Sequence, residues 1–434
     1  MFQTLAVSCV TCIGIILSIL FFPNIKIKKF SIATYWLIAL LGAFVLILIK
    51  SVEFGNVIKA LTNNSSSINP IKILVLFISM SILSIYLDSL GFFEYMANIA
   101  VKRSSGSQYK LFIYLYLIVS VLTIFTSNDI IILTFTPFIC IFARQTKINP
   151  LPFLFLVFVA ANTWSLFLIV GNPTNIYLAT FLNVSFFDYL KVMFLPAILS
   201  GLTSFLCLFL IFRKSLKKPI QAVQTQTVIQ DKFLLTIGIV HLAGCIILIA
   251  ISSYIKIEMW LICLFSVISL FLITLIYKAI KRSKPKELLV CLKKAPWELI
   301  PFILSMFVIV LSLNNAGVLN IIASYLSKGV TEINFGVASY LASNVINNIP
   351  MSIMFGDILT HLSQETLLKG LYAAVIGSNL GTILTPIGAL AGIMWTNILN
   401  RYGIKFRFID FVKYGIIISV PTLAMSIFGL WIML

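Results

Sequence analysis

An apolar run long enough to cross a bilayer can be broken by polar residues only where protein buries the break or a cavity wets it. Four such breaks occur in this chain, two in each half. In the first half, Ser127-Asn128-Asp129 is followed, 34 residues after Asn128, by Asn162, which leads into Gly171-Asn172-Pro173-Thr174-Asn175. In the second, Asn347-Asn348-Ile349-Pro350 is followed, 32 residues after Asn347, by Asn379, which leads into Thr385-Pro386-Ile387-Gly388. Asn162 and Asn379 are 217 residues apart, as are Gly171 and Gly388. Broken helices at matching positions of two repeats point to the binding site of a secondary transporter, and that is the reading taken here.

Charge supports the membrane setting. Only 10% of residues are charged and 60% are hydrophobic, with a mean hydropathy of +1.09. A soluble domain carries charge at roughly a quarter of its positions. The net charge of +18 would suit nucleic acid if the cations formed a patch. They lie instead in short connections between apolar runs, with no basic stretch interleaved with aromatics, so no nucleic-acid partner is expected.

Span-length apolar stretches run near 3–23, 31–50, 71–90, 151–183 and 189–212, then near 234–253, 257–279, 298–318, 366–400 and 409–433. Between the third and fourth member of each set lies an apolar region split by its polar tract, 109–145 and 331–360. Their arms look short for separate crossings, so both are expected as re-entrant hairpins. The expected fold is an all-α polytopic membrane protein with about ten transmembrane helices, two re-entrant hairpins and discontinuous helices. Residues 1–213 would form a first inverted repeat and 233–434 a second, with broken helices at 151–183 and 366–400. A cytoplasmic linker, 214–232, carrying Gln221, Gln224, Gln226 and Gln230, would join them.

Five spans per half is odd, so the halves must face opposite ways across the bilayer. The cations agree with this. Connections holding Lys26, Lys28 and Lys29; Lys102, Arg103 and Lys110; Arg144 and Lys147; Arg213 to Lys232; Lys278 to Lys294; and Arg401 to Lys413 all fall on one side. The positive-inside rule makes that side cytoplasmic and puts both termini outside. The protein is expected in the cell membrane as a multi-pass chain, its first span retained rather than cleaved as a signal peptide. Gly91–Lys110 and Gly317–Lys328 read as short amphipathic arms before the two hairpins. Trp36, Trp260, Trp297 and Trp431 lie near span ends and read as interfacial anchors.

The breaks suggest chemistry. A helix starting inside the membrane exposes unpaired N–H groups and a positive dipole end, which favour anionic or oxygen-rich ligands. Asn128 and Asp129 are expected to cap the helix that follows. Asn347 and Asn348 would do the same ahead of Pro350, whose missing N–H suits a first helical turn. Gly171 and Pro173 in one half, and Thr385 to Gly388 in the other, would free carbonyls able to hold a cation. Asp129 is an acid at a membrane-embedded tip, which is costly and usually functional; it is expected to take a coupling proton or help hold a cation. Asp88 reads as interfacial and His241 as a structural hydrogen bond. Trp164 and Trp395 either wall the cavity or pack. Cys9-Val-Thr-Cys12 reads as two small residues in a lipid-embedded helix.

These residues resemble a known family. Phe125-Thr-Ser-Asn-Asp-Ile-Ile-Ile-Leu-Thr-Phe-Thr-Pro137 is similar to the first hairpin of arsenite/antimonite permeases in the ion-transporter superfamily. Ala161 to Asn175 is similar to that family's first unwound helix. Ser343-Asn-Val-Ile-Asn-Asn-Ile-Pro350, Val375 to Ala391, and the stretch through Trp395 to Tyr414-Gly-Ile-Ile-Ile-Ser-Val-Pro421 resemble its second half. Two features depart from the pattern: Asn162 stands where those permeases have an acid, and Gly171-Asn172 where they have Ser-Asn. The Gly-Asn-Pro-Thr-Asn run is closer to relatives carrying di- and tricarboxylates. The Ser-Asn pairs at 127–128 and 343–344 resemble the sodium-coupled dicarboxylate branch.

The resemblance implies an ion-coupled secondary transporter that moves a small anion or oxyacid by alternating access. Arsenite or antimonite efflux leads, a sodium- or proton-coupled citrate-like carrier follows, and a sodium/proton antiporter comes third. Residues expected to contact substrate or ion are Ser127, Asn128, Asp129, Asn162, Gly171, Asn172, Thr174, Asn175, Asn344, Asn347, Asn348, Ser378, Asn379, Thr382, Thr385 and Gly388. A sodium ion would be held through Asn128, Gly171, Asn347 and Gly388, and the coupling ion is H+ or Na+, with no other cofactor. The resemblance also implies a homodimer and, for an arsenite permease, an ATPase partner. An embedded enzyme is not expected: the chain has two histidines, no His-Glu-x-x-His and no acid pair within a span. No phosphate-binding Gly-x-x-x-x-Gly-Lys-[Ser/Thr] loop occurs, so the chain alone is not an ATP-driven pump.

Overall fold

The computed structural model describes residues 1–27, 30–62, 69–220, 229, 231–404 and 406–434. The chain opens with α1 (Phe2–Phe21), an antiparallel pair of strands β1 (Asn24–Ile27) and β2 (Phe30–Ala33), α2 (Thr34–Leu48), α3 (Phe54–Thr62) and α4 (Pro70–Ser89). Next come α5 (Phe92–Ser104), α6 (Gln108–Phe125), α7 (Asn128–Thr146), α8 (Leu151–Trp164), α9 (Pro173–Phe181) and α10 (Phe186–Phe212). The second half has α11 (Lys232–Ala250), α12 (Ser252–Ile255), α13 (Met259–Ile280), α14 (Lys286–Lys294) and α15 (Leu299–Asn315). It closes with α16 (Val318–Leu326), α17 (Thr331–Ile346), α18 (Asn348–Leu359), α19 (Gln364–Gly381), α20 (Leu390–Arg401) and α21 (Phe408–Met433).

One order of elements therefore occurs twice, from α4 and from α15: a long helix, a short arm, two helices meeting at a polar tip, a split helix and a closing long helix. The arms start alike. Gly91 and Gly317 precede α5 and α16 with φ of +84° and +75°, a left-handed backbone that glycine adopts without strain.

Nine helices among the described residues are long and apolar enough to cross a membrane. Two expectations are corrected. The 31–50 span is shortened, because Asn24-Ile-Lys-Ile and Phe30-Ser-Ile-Ala pair as strands and leave α2 with 15 residues; the alternation of apolar and polar residues there has the strand period. The arms of the first hairpin are not short: α6 and α7 have 18 and 19 residues and each is span-length by itself. In the second half the arms are shorter, 16 and 12 residues. Of the 214–232 linker, residues 221–228 and 230, its four glutamines included, lie outside the described residues.

Two groups of helices form. In one, α4 packs on α11, α13, α14 and α15, and α15 on α1 and α2. In the other the halves interlock: α10 lies on α21, α7 on α20, α18 on α9, and α19 on both α8 and α9. The closest approach is between α17 and α19. A Cβ on Gly377 would overlap Ser339 Oγ and the Gly336 carbonyl, and one on Gly381 would overlap Ser343 Oγ. Small residues at such contacts let membrane helices meet backbone to backbone, and this contact fixes the helix that carries Asn379.

Gly377→Val should therefore overpack the α17–α19 contact, costing about 1–3 kcal/mol and lowering the thermal midpoint of the detergent-solubilised protein. Gly244→Ala, at a position with open space around it, should leave that midpoint unchanged or slightly higher. Equal midpoints for the two variants would show that the contact is not tight.

Candidate substrate and ion site

Both split helices break around asparagine. α8 ends at Trp164, a turn of 3-10 helix spans Ile169–Gly171, and Asn172 then runs extended before Pro173 opens α9. Asn172 Oδ1 accepts from the Thr174 backbone N–H at 3.1 Å, so the side chain caps α9 while Pro173 fills its first turn. Two carbonyls freed by the break are not left open: Asn175 Nδ2 donates to Ser165 C=O at 2.7 Å and to Leu168 C=O at 3.3 Å. A Cβ on Gly171 would overlap the Ser165 carbonyl, so only glycine permits the loop to fold back this far.

The second break closes by a different route. Asn344 Nδ2 donates to Gly381 C=O at 2.9 Å and its Oδ1 accepts from Thr385 Oγ1 at 2.7 Å. Asn347 Nδ2 donates to Ile387 C=O at 3.1 Å, and the Asn348 backbone N–H donates to Gly388 C=O at 2.9 Å. Asn347 holds φ at +72°, a value few non-glycine residues adopt, and caps α18 through Ile349 N–H. Thus the tip of the second hairpin is tied to the second unwound loop.

Asn379 joins the two split helices. Its Oδ1 accepts from Asn172 Nδ2 at 2.7 Å and from Ser165 Oγ at 2.8 Å, and its Nδ2 donates to Asn175 Oδ1 at 2.7 Å. Beside it Ser378 Oγ donates to Thr174 Oγ1 at 3.0 Å, and Thr382 Oγ1 donates to Asn379 C=O at 2.6 Å. The first hairpin is tied in through Asn128, whose Nδ2 donates to Asn162 Oδ1 at 3.0 Å. Asn162 C=O in turn accepts from Ser165 Oγ at 2.9 Å. Asn162, Asn175 and Asn379 are all 0% exposed.

Several expectations change. Asn128 does not cap α7: it is the first helical residue, Ser127 holds the cap position without a side-chain bond, and the Asn128 amide reaches across to α8 instead. At the second tip the Gly388 carbonyl accepts from Asn348 N–H, while Asn347 donates through Nδ2 to Ile387 C=O and accepts at Oδ1 from Ile349 N–H at 3.4 Å. The first tip differs. Ser127 Oγ, Asn128 Oδ1 and Thr163 Oγ1 are buried and have no partner among the described residues. Trp395 packs among Phe155, Phe158 and Phe411, and Trp164 Nε1 donates to Tyr116 OH at 3.1 Å while its ring covers Gly201; both pack. His241 Nδ1 makes a 2.8 Å contact with Ile237 C=O, a local structural bond. Ser165, the bridge between the two halves, was not singled out by sequence; its only signal was its place between Asn162 and Gly171.

Asp129 stands apart from the amide cluster. It is half-buried and lines a cavity of about 1200 Å³ between α7 and α20 on one side and α4 and the start of α15 on the other. Lys293, Lys294, Glu298 and Arg401 also line the cavity, with Gln145 of α7. Asp88, expected at the interface, also lines the cavity, where it accepts from Thr134 Oγ1 at 2.9 Å and pairs with Lys294 Nζ at 3.0 Å.

Residues 19–368 match the family model described as a citrate transporter. The chain belongs to that citrate transporter family. Its curated relatives include the arsenical pump membrane protein of Escherichia coli, 28% identical over 380 residues that cover 82% of this chain and 84% of the relative. A protein of the same name from Yersinia enterocolitica is 28% identical over 375 residues, with the same coverage. Among solved structures, Neisseria gonorrhoeae MtrF, described as illuminating a class of antimetabolite efflux pumps, aligns with a TM-score of 0.52 at 14% identity, over 99% of this chain and 94% of its own. The arsenite permease-like resemblance expected from the sequence is borne out. This member of the citrate transporter family is a multi-pass, ion-coupled membrane transporter.

Removing one member of the cluster should strand its partners. Asn379→Ala and Asn172→Ala should each destabilise the family member by about 1–3 kcal/mol, the cost of a buried polar group left unpaired. The double variant should lose less than the sum, because both remove the same bond. Denaturation in micelles would measure this, and strict additivity would contradict the shared bond.

Proposed function

We propose that the chain moves a small anion or oxyacid across the cell membrane by alternating access, with arsenite or antimonite extruded in preference to a carboxylate taken up. One observation carries the reading: both split helices and the first hairpin tip meet in one buried amide cluster, and Asp129, next to Asn128 of that tip, lines a cavity. Neutral amide donors and backbone dipoles suit an oxyacid that arrives uncharged or singly charged. In this proposal the two halves are inverted repeats, 1–213 and 233–434, with both termini outside. The cavity lining supports that orientation: Lys293, Lys294, Arg401 and Gln145 belong to or adjoin the connections that the positive-inside rule puts in the cytoplasm. The chain is then in an inward-facing state. The interlocked group α6–α10 with α17–α21 moves against the group around α4 and α15.

For the coupling ion, the first hairpin tip is favoured over the second. Ser127 Oγ and Asn128 Oδ1 are unpartnered oxygens of the kind a hard cation takes, whereas Asn347 Oδ1 and the Gly388 carbonyl each already accept a hydrogen bond. Asp129 would carry a proton or complete that cation's shell. A homodimer contacting through the α4–α15 group and an ATPase partner belong to the arsenite reading. A di- or tricarboxylate substrate is the second reading, favoured by the cavity cations and by the Gly171–Asn175 run.

The test is flux into liposomes carrying the purified chain under imposed proton or sodium gradients, comparing arsenite with succinate and citrate. Gradient-dependent arsenite movement is expected; movement of the carboxylates with arsenite ignored would overturn the preference. Asp129→Asn should abolish transport or uncouple it from the gradient without preventing insertion, and intact coupling would remove Asp129 from its role. Replacing Cys9 and Cys12 by serine should change flux little, since Cys9 is exposed on α1, away from the cluster.

A further inference from the structure

A second acid is buried in the interlocked group, and nothing above uses it. Asp357 lies nine residues into α18, about 14 Å along the helix from the hairpin tip, and is 9% exposed. Only its backbone carbonyl is engaged, by Thr360; no hydrogen bond or ion pair reaches its carboxyl group among the described residues. A further polar group of the same seam is also unpaired. Tyr177 of α9 is 4% exposed and its hydroxyl has no partner among the described residues. Its ring is 2.9 Å from the point a Cβ on Gly356 would occupy, so it covers the residue next to Asp357 and lies within electrostatic reach of that carboxyl.

The charged and titratable groups of the elements packed on α18 are engaged elsewhere or lie outside this seam. Glu332 of α17 pairs with Lys369 of α19 at 3.4 Å. Tyr340 of α17 bonds Ser419, and Tyr372 of α19 donates to Asp188 C=O. Tyr325 of α16 lies under Lys328, and His361, just past α18, bonds Asn314. Glu365 is in the exposed first turn of α19, and α15 carries no titratable side chain. A carboxylate in such a place, without a counter-ion, is too costly to persist. A hard metal cation would need about six oxygens, more than this seam supplies. A proton needs only the carboxyl itself.

We propose that Asp357 is a proton-binding site of the transport cycle. The carboxyl holds a proton while α9 and α18 are packed together and releases it when water enters their seam. The Tyr177 hydroxyl then donates to the carboxylate that forms. Only its place in the cycle rests on the transport reading; the proton itself does not. Asp129 and Asp357 are the two aspartates of the hairpins, one on the second arm of each.

Infrared spectroscopy of the full chain in lipid, titrated with pH, tests this without any substrate. The wild-type chain should show the carbonyl stretch of a protonated carboxylic acid at a pH where an ordinary aspartate, with a pKa of about 3.9, is ionised. Asp357→Asn should lose that band. Tyr177→Phe removes a donor to the carboxylate, so its band should persist to higher pH. Should Asp357→Asn fail to assemble, Asp357→Glu serves in its place, and its band should move in frequency. A band that Asp357→Asn or Asp357→Glu leaves unaltered, or no band above the ordinary range, would overturn the proposal. Arsenite and succinate flux through the wild-type chain decides the transport reading separately, so the two failures cannot be confused.

Discussion

Breaking a helix in apolar surroundings frees backbone groups that water cannot reach, and each has to find a partner within the protein. Here asparagine side chains supply most of those partners. An amide both donates and accepts, so a single residue can close a broken turn and still reach a neighbouring element. Asn175 covers two carbonyls of its own loop with Nδ2 and gives Oδ1 to Asn379. Asn379 spends its oxygen on Asn172 and Ser165. The two split helices are thus held to each other by the same groups that make their breaks tolerable. The close α17–α19 contact at Gly377 and Gly381 fixes the height at which Asn379 enters the cluster.

The two hairpins are finished differently, and the difference bears on function. At the second tip nearly every freed group is spoken for, by Asn344, Thr385, Asn347 and the Asn348 N–H. At the first, Ser127 Oγ and Asn128 Oδ1 face the interior unpaired, and the next residue, Asp129, lines the cavity. A structure that only needed stability would gain from pairing those oxygens, since a buried unsatisfied polar group costs about 1–3 kcal/mol. Their freedom fits a group that is bound and released there. Asp88, joined to Thr134 of α7 and to Lys294, ties the first hairpin arm to the α4 group at the cavity wall.

Much of this was legible in the residues. Asparagines spaced alike in two halves, with glycine and proline beside them, marked the breaks, because few other residues make a membrane helix end and restart. Cations gathered in alternate connections carry the orientation proposed for the chain. What escaped was set by tertiary contact. Whether Asn128 caps α7 or reaches Asn162 depends on how close α8 lies. Ser165 looks like any serine in an apolar run until Asn379, from the other half, arrives beside it. Trp395 could have walled a cavity, and only the ring cluster around it shows that it packs. Asp357 was not singled out by sequence, and its isolation becomes visible once Tyr177 is seen to cover its neighbour. The strands at 24–33 were hidden for another reason: their alternation lies next to an apolar run that reads as a span.

That one amide unites both breaks can be tested by native-state hydrogen exchange along 165–175 in the wild-type chain and in Asn379→Ala. The substitution lies in the other half, more than two hundred residues away in sequence. Faster exchange of the backbone amides over 165–175 is predicted, because Asn172, Asn175 and Ser165 all lose the partner that holds their loop. Exchange there that matches the wild type, with changes confined to the neighbours of residue 379, would show that each break is held within its own half and that the cluster is not the joint described here.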